Sequence, residues 1–130
     1  MMINVREDSI PENDLPGRKL RWVITPEKDG CEFLSSCVIR VAPGAKVKPA
    51  HSHPNGEELV YIISGSGRVL IDGEVEPVEA GSVIVFPKAK IHMLQNTGSV
   101  EMKAVCVYAP AADPSGYKYH EDVDIDDYVK

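Results

Sequence analysis

Chain-breaking residues recur throughout this sequence, and their frequency constrains the fold more than any other feature. Ten glycines and ten prolines stand among 130 residues, and they separate short runs of apolar, β-branched and aromatic side chains. The middle of the chain shows no stretch with the 3.6-residue apolar period of an amphipathic helix. Many short strands with frequent turns are typical of an antiparallel sandwich or barrel, so we predict an all-β fold.

Seven runs have the composition of strands, and the dipeptide Asp72-Gly73 is a strong signal for a hairpin turn. Two of these runs, "LVYII" and "VIVF", are apolar at successive positions, so both of their faces need cover from another sheet or from a second subunit. On that ground we expect a homodimer. The predicted strands span residues 19–25, 32–42, 57–64, 67–73, 82–86, 91–96 and 100–109.

Charge and composition make several classes of partner improbable. The formal net charge is -6 and the only basic cluster is the short run Arg18–Arg21, so we expect no nucleic-acid partner. No apolar run approaches membrane-spanning length, and the N-terminus lacks the apolar core of a secretory signal. The three cysteines are odd in number and lack CxxC spacing, which favours the reducing cytoplasm over a disulfide framework or a thiolate zinc site.

The distribution of charge and turns predicts one domain with two polar ends. We expect an N-terminal arm at residues 1–18, a barrel core at 19–112 and an acidic tail at 113–130. A strongly acidic end is most simply a solvated tail. The alternative is a lid or partner contact that uses Tyr117, Tyr119 and His120.

Two histidines lie one residue apart at the entrance to an apolar strand. Residues two apart on a strand point to the same side, so His51 and His53 present two imidazoles to one face. The turn that follows lets Glu57 or Glu58 add an oxygen, and His92 is available as a third imidazole. Three imidazoles and one carboxylate form a mixed nitrogen and oxygen site for a divalent transition metal, with open coordination positions.

The stretch "GAKVKPAHSHPNGEELVYIISG" resembles the first of the two sequence motifs of the cupin family. Gly44 opens the motif, His51 and His53 supply its histidine pair, Glu58 follows after four residues and Gly65 closes it. The step from Gly44 to the first histidine is six residues, where the family usually has five. This departure affects only the entry loop.

The stretch "GSVIVFPKAKIHMLQN" resembles the second cupin motif. Gly81, Pro87, His92 and Asn96 are all in register with it. Ala89 stands where the family usually has glycine, so we expect its turn to avoid the backbone conformation that only glycine tolerates.

The resemblance implies a small antiparallel jelly-roll β-barrel, commonly dimeric, and it places the metal ligands on His51, His53, Glu58 and His92. Glu57 is the alternative acid, because some members of the family space it by three residues. The metal would be Fe, Mn, Ni, Zn or Cu. The family includes dioxygenases, isomerases, decarboxylases and lyases that act on small molecules. The alternative function is a non-catalytic barrel that binds a sugar-like or acidic small ligand.

Other marked residues have simpler interpretations. Arg40 and Arg68 are either outward, solvated side chains or clamps for an acidic group of a substrate. Cys37 and Cys106 are expected to be small buried residues. Leu94 shares a face with His92 and is expected to line the pocket. The residues expected in the core are Trp22, Tyr61, Phe86, Met93 and Tyr108, and the candidate catalytic bases are Glu57, Tyr61 and His120.

Overall fold

The computed structural model describes residues 2–112 and 114–129, which form short strands joined by turns. One α-helical turn spans Pro26–Asp29, and 3-10 turns span Glu7–Ser9, Pro114–Gly116 and Ile125–Tyr128. No helix among the described residues is long and apolar enough to cross a membrane. The strands are β1 (Asn13–Leu15), β2 (Arg18–Ile24), β3 (Ser35–Val41), β4 (Ala50–Ser52), β5 (Glu57–Ser64), β6 (Ser66–Ile71), β7 (Glu74–Glu79), β8 (Val83–Phe86), β9 (His92–Asn96), β10 (Met102–Ala109) and β11 (Lys118–His120).

The strands form two antiparallel sheets that pack face to face. The first sheet has the order β1-β2-β3-β10-β5-β8, and the second has the order β11-β4-β9-β6-β7. The predicted all-β, antiparallel fold class is therefore confirmed. Among the described residues no strand pairs across the two sheets, so the jelly roll is an open sandwich and not the closed barrel that the sequence predicted.

Alternating burial along β5 and β10 places the core between the sheets. In β5 the side chains of Glu58, Val60 and Ile62 are buried, whereas their neighbours are exposed. The same period in β10 buries every second residue, from Met102 to Tyr108. The two sheets thus enclose an apolar interior that contains one acidic side chain from β5.

The predicted core is right for Phe86, Met93 and Tyr108, which are buried. Trp22 is half-buried against the core. The prediction for Tyr61 is wrong, because its position in β5 turns it to the outer face, where it is 44% exposed. Aromatic character indicates burial only when the register of the strand agrees with it.

The acidic C-terminal segment packs against the second sheet, so its prediction as a solvated tail is wrong. β11 pairs with β4 and extends that sheet. Ile125 is fully buried. Two ion pairs, at 2.6 and 2.8 Å, join the Lys46 ammonium to the carboxylates of Asp124 and Asp126. The acidic residues of this segment therefore hold it on the fold.

Turns follow the local chemistry of the sequence in most places. Asp72 and Gly73 both have positive φ, as a tight β6–β7 hairpin requires. The polar N-terminal arm contributes β1 as the edge of the first sheet. Gly65 combines a φ of +88° with a close approach, since a Cβ there would lie 2.8 Å from the Met102 Cα. Only glycine fits this position.

Candidate metal centre

Three strands bring the predicted metal ligands together between the sheets. His51 of β4 is directly opposite His92 of β9 in the antiparallel pairing. His53 follows β4 at the alternate position, and Glu58 enters from β5 in the facing sheet. All four side chains are buried, with 2–6% of their surface exposed.

The four side chains converge on one small volume. One candidate ligand atom from each of His51, His53, Glu58 and His92 lies within 4.8 Å of the others. The Glu58 Oε1 is 2.8 Å from the His53 Nε2 and 3.6 Å from the His92 Nε2. Glu57, the alternative acid, points to the exposed outer face of β5.

Backbone carbonyls orient two of the imidazoles. The Nδ1 of His51 lies 3.2 Å from the Pro49 carbonyl, and the Nδ1 of His92 lies 3.3 Å from the Lys90 carbonyl. An N–H at Nδ1 donates to each carbonyl, which leaves a lone pair on Nε2. The His92 Nε2 is buried and has no hydrogen-bond partner among the described residues. An unpaired buried nitrogen beside a carboxylate is the environment that a cation ligand requires, so these residues fit a divalent metal.

Burial keeps the imidazoles of His51 and His92 neutral. Burial, followed by the neighbouring His53, lowers the pKa of His51 to about 3. Burial, followed by His51 and His53, lowers the pKa of His92 well below its ordinary value. Metal ligation requires the neutral imidazole, so both groups are in the ligating form at neutral pH.

Aromatic rings cover the cluster. Phe86 stacks on His92, with ring centroids 3.8 Å apart. Tyr117 stacks on His51 and meets the edge of His53, with centroids 5.0 and 4.4 Å apart. The Tyr117 hydroxyl is buried and makes no hydrogen bond of good geometry with the described residues. Burial raises its pKa, and the nearby Tyr108 hydroxyl opposes part of that effect.

Two residues of the second motif, Ala89 and Asn96, make hydrogen bonds that hold the backbone around the cluster in place. The Ala89 N–H donates to the His53 carbonyl at 2.9 Å, and Ala89 has a φ of +64°. The expectation that this turn avoids the left-handed conformation is therefore wrong. The Ala89 Cβ is exposed, which limits the steric cost to the backbone itself. The Asn96 amide donates to the carbonyls of Val41 and Val100 and anchors the end of β9.

An inner cavity lies at the cluster, and an outer pocket lies next to that cavity. The inner cavity has a volume of about 30 Å³ and lies against His51, Glu58 and His92. Leu94 lines it as predicted, and Met93 packs on the opposite side of β9. An outer pocket of about 320 Å³ opens to solvent. The residues common to both linings are Arg18, Leu20 and Tyr117.

The alternative of Arg40 or Arg68 as a substrate clamp is not found at this site. Arg40 pairs with Glu12 and Glu101, and Arg68 pairs with Asp126 and Gln95. Arg18, which does line both cavities, stands in the sequence as part of the basic run Arg18–Arg21 and carried no predicted role. Residues two apart share a face of a strand, so the position of Arg18 two residues before the apolar Leu20 could have indicated that its side chain faces the interior.

The three candidate bases lie away from the inner cavity. Glu57 and Tyr61 are exposed on the outer face of β5. The His120 Nε2 makes a 3.0 Å hydrogen bond with the Ser52 hydroxyl. None of the three lines the inner cavity, as far as the described residues show.

Comparison with known proteins agrees with this arrangement. Residues 37–108, more than half of the chain, match the family model described as a cupin domain. The chain belongs to the cupin family. Among the relatives of this cupin, the polyketide synthase protein CurC of Streptomyces cyaneus is 32% identical over 113 residues, which cover 85% of this chain and 70% of CurC.

Solved structures share the fold of this cupin at low sequence identity. The polyketide cyclase RemF of Streptomyces resistomycificus superposes with a TM-score of 0.75 and 21% identity, over 92% of this chain and 85% of RemF. A predicted oxalate decarboxylase of Thermotoga maritima has the same TM-score and identity, over 83% of this chain and 99% of its own. At this identity the likeness shows the fold alone.

Proposed function

We propose that this cupin is a metal-dependent enzyme that acts on a small carbonyl-containing molecule. The observation that carries the proposal is the buried group of four donors, in which the His92 Nε2 has no partner among the described residues. His51, His53, Glu58 and His92 would hold a divalent transition metal, with Fe, Mn, Ni, Zn and Cu all compatible with three imidazoles and one carboxylate.

Each residue has a distinct part in this arrangement. When bound, such a metal polarises a carbonyl oxygen or lowers the pKa of a water molecule. The 2.8 Å contact between the Glu58 Oε1 and the His53 Nε2 places these two donor atoms side by side. Phe86 and Tyr117 exclude bulk water from the imidazoles, which strengthens every electrostatic interaction at the site.

Among the reaction classes open to a cupin, ring closure of a polyketone has the best support. CurC is described as a polyketide synthase and RemF as a polyketide cyclase. Closure of such a ring begins with a polarised carbonyl, which a Lewis-acid site favours. An outer pocket of about 320 Å³ lies at the lower end of the volumes usual for small-molecule sites.

The second candidate is a cupin that binds a sugar-like or acidic ligand without turnover. The outer pocket favours it, because its lining includes none of the four proposed metal ligands, and the inner cavity of about 30 Å³ beside them admits only a water-sized group. The two candidates differ in one observable. The enzyme converts a polyketone or diketone in a metal-dependent manner, whereas the binding protein takes up the ligand and returns it unchanged.

Metal analysis of the purified protein tests the shared basis of both candidates. Protein prepared without chelator should contain about one divalent transition metal per chain, and the His92→Ala variant should fold without it. The variants Glu58→Gln and Glu57→Gln form a matched pair, since these adjacent residues point to opposite faces. Glu58→Gln should lose metal and Glu57→Gln should keep it. Stoichiometric metal in His92→Ala would contradict the proposed ligand set.

We also propose that the protein is a homodimer through the outer face of the first sheet. Leu59, Tyr61 and Ile63 of β5 and Val83 and Val85 of β8 are all exposed, by 40–61%. Their strands pair directly, so the side chains form one apolar surface. A second copy of the chain would cover it. The cytoplasmic location stays a prediction, supported by the three free cysteines.

A further inference from the structure

We propose that Arg18 and the outer pocket bind an anionic, mainly apolar substrate, with its acidic group held by Arg18 beside the metal centre. The outer pocket is the space lined by Leu15, Pro16, Arg18, Leu20, Lys48, Pro49, Tyr117, Tyr119 and Glu121. This inference rests on the proposed function and adds to it the chemical class of the substrate.

Arg18 differs from every other arginine of the chain in its partners. Arg6, Arg21, Arg40 and Arg68 each lie within 4.0 Å of a carboxylate. Arg18 has no acidic partner among the described residues, although the formal net charge of the protein is -6. A half-buried guanidinium without a carboxylate in an acidic protein is available to an anion from outside.

Two backbone carbonyls hold the guanidinium in place. The Arg18 Nη1 donates to the Pro16 carbonyl at 3.1 Å and to the Lys48 carbonyl at 3.4 Å. Within the described part of the chain, its Nε and Nη2 have no acceptor. One edge of the guanidinium is therefore fixed and its other donors are free, as bidentate recognition of an oxyanion requires.

The position of Arg18 joins the outer pocket to the metal centre. It begins β2 on the same face as Leu20, which is buried between the sheets. Arg18, Leu20 and Tyr117 line both cavities, so they form the partition between them. Tyr117 stacks on His51. A molecule in the outer pocket that contacts Arg18 therefore lies one ring away from a proposed metal ligand.

The other walls of the outer pocket favour a substrate whose main part is flat and apolar. Its walls include Leu15, Pro49 and the rings of Tyr117 and Tyr119. Lys48 and Glu121 stand at the rim, are exposed and carry opposite charges that offset each other. The guanidinium thus supplies the net charge of the pocket, and a delocalised oxyanion on an aromatic or polyenolic frame matches both features.

Binding of a matched pair of probes tests the inference. We expect calorimetric titration to show that 2-naphthoate binds at least about 10-fold more tightly than its neutral analogue 2-naphthamide. The carboxylate forms a charge-assisted hydrogen bond with Arg18, and the neutral amide cannot. The Arg18→Met variant should weaken naphthoate binding by about 10- to 100-fold and leave the amide unchanged. Arg18→Lys should restore part of the difference.

Arg40→Met is the matched control, since Arg40 pairs with Glu12 and Glu101 outside both cavities. It should bind naphthoate as the wild type does. Equal binding of acid and amide by the wild type, or no binding of either, overturns the inference without any variant. Titrations of chelator-treated and metal-loaded protein separate the two proposals. If the protein takes up no metal but still binds naphthoate through Arg18, the proposed metal-dependent function is wrong and the anion site is supported.

Discussion

The ring of Tyr117 lies parallel to the imidazole of His51, with their centroids 5.0 Å apart. Tyr117 directly precedes β11, and His51 pairs with Tyr119 across the β4–β11 ladder. The segment predicted as a solvated tail therefore covers the cluster of candidate metal ligands. Access to the cluster and packing of this segment are linked through one aromatic contact.

Truncation of Tyr117 should expose the candidate metal centre to solvent. We expect Tyr117→Ala to speed the removal of metal by a chelator at least about 10-fold, because the ring that shields His51 is lost. The variant should also lose roughly 1–3 kcal/mol of unfolding free energy, less than a fully buried aromatic residue costs. Stopped-flow chelation and thermal unfolding measure the two effects.

Tyr117→Phe provides the control for this prediction. It keeps the stacked ring and removes a buried hydroxyl that has no good hydrogen bond within the described residues. Its rate of metal loss should match that of the wild type, and its stability should be equal or higher. Faster metal loss in Tyr117→Phe would show that the hydroxyl, not the ring, protects the site.

The convergence of the histidines and the acid could be predicted because short-range rules govern it. Alternation along a strand puts His51 and His53 on one side, and the same period separates Glu58 from Glu57. The meeting of His92 with this pair depends on strand pairing, which alternation does not specify. The two cupin motifs supplied that missing relationship through their fixed spacing.

The parts of the site that sequence reasoning missed depend on contacts between distant residues. Lys46 and Asp124 are separated by 78 positions, yet their ion pair helps to hold the C-terminal segment in place. An acidic run looks solvated until its cationic partner is known. Arg18 likewise resembled any other residue of a basic cluster, because its lack of a carboxylate partner is a property of the packed molecule.

The backbone of Ala89 offers a stabilising substitution. Ala89 has a φ of +64° and an exposed side chain, so its Cβ adds strain without adding contacts. We expect Ala89→Gly to raise the unfolding free energy by about 1 kcal/mol, the difference between relieved strain and added chain entropy. Ala80 is a matched control, because it is an exposed turn residue outside the set with positive φ. Ala80→Gly should be neutral or destabilising, and a gain of equal size there would contradict the explanation.

A charge on the apolar outer face should disrupt the proposed dimer. Val85 is 49% exposed and lies opposite Leu59 in the middle of that face. We expect Val85→Lys to shift the molar mass from dimer to monomer in size-exclusion chromatography with light scattering, because a desolvated ammonium is costly in an interface. Phe33→Lys is the matched control, since Phe33 is 73% exposed outside both sheets. A wild-type protein that elutes as a monomer at all concentrations would contradict the proposed dimer.

The ion pairs of Lys46 should make the attachment of the C-terminal segment dependent on pH. Hydrogen bonds from Lys46 are the largest cause that lowers the pKa of Asp124 and of Asp126 below their ordinary values. A carboxylate with a lowered pKa stabilises the folded state fully above its unfolded pKa, near 4, and loses that contribution as the pH falls through its folded pKa.

We therefore expect Lys46→Met to lower the melting temperature by a few degrees at pH 7, a small effect because these groups are partly exposed. The difference from the wild type should shrink below pH 4, whereas Lys88→Met, which removes an exposed lysine, should match the wild type throughout. A Lys46→Met deficit that stays constant down to pH 2 would mean that packing of the lysine chain, not its charge, holds the segment.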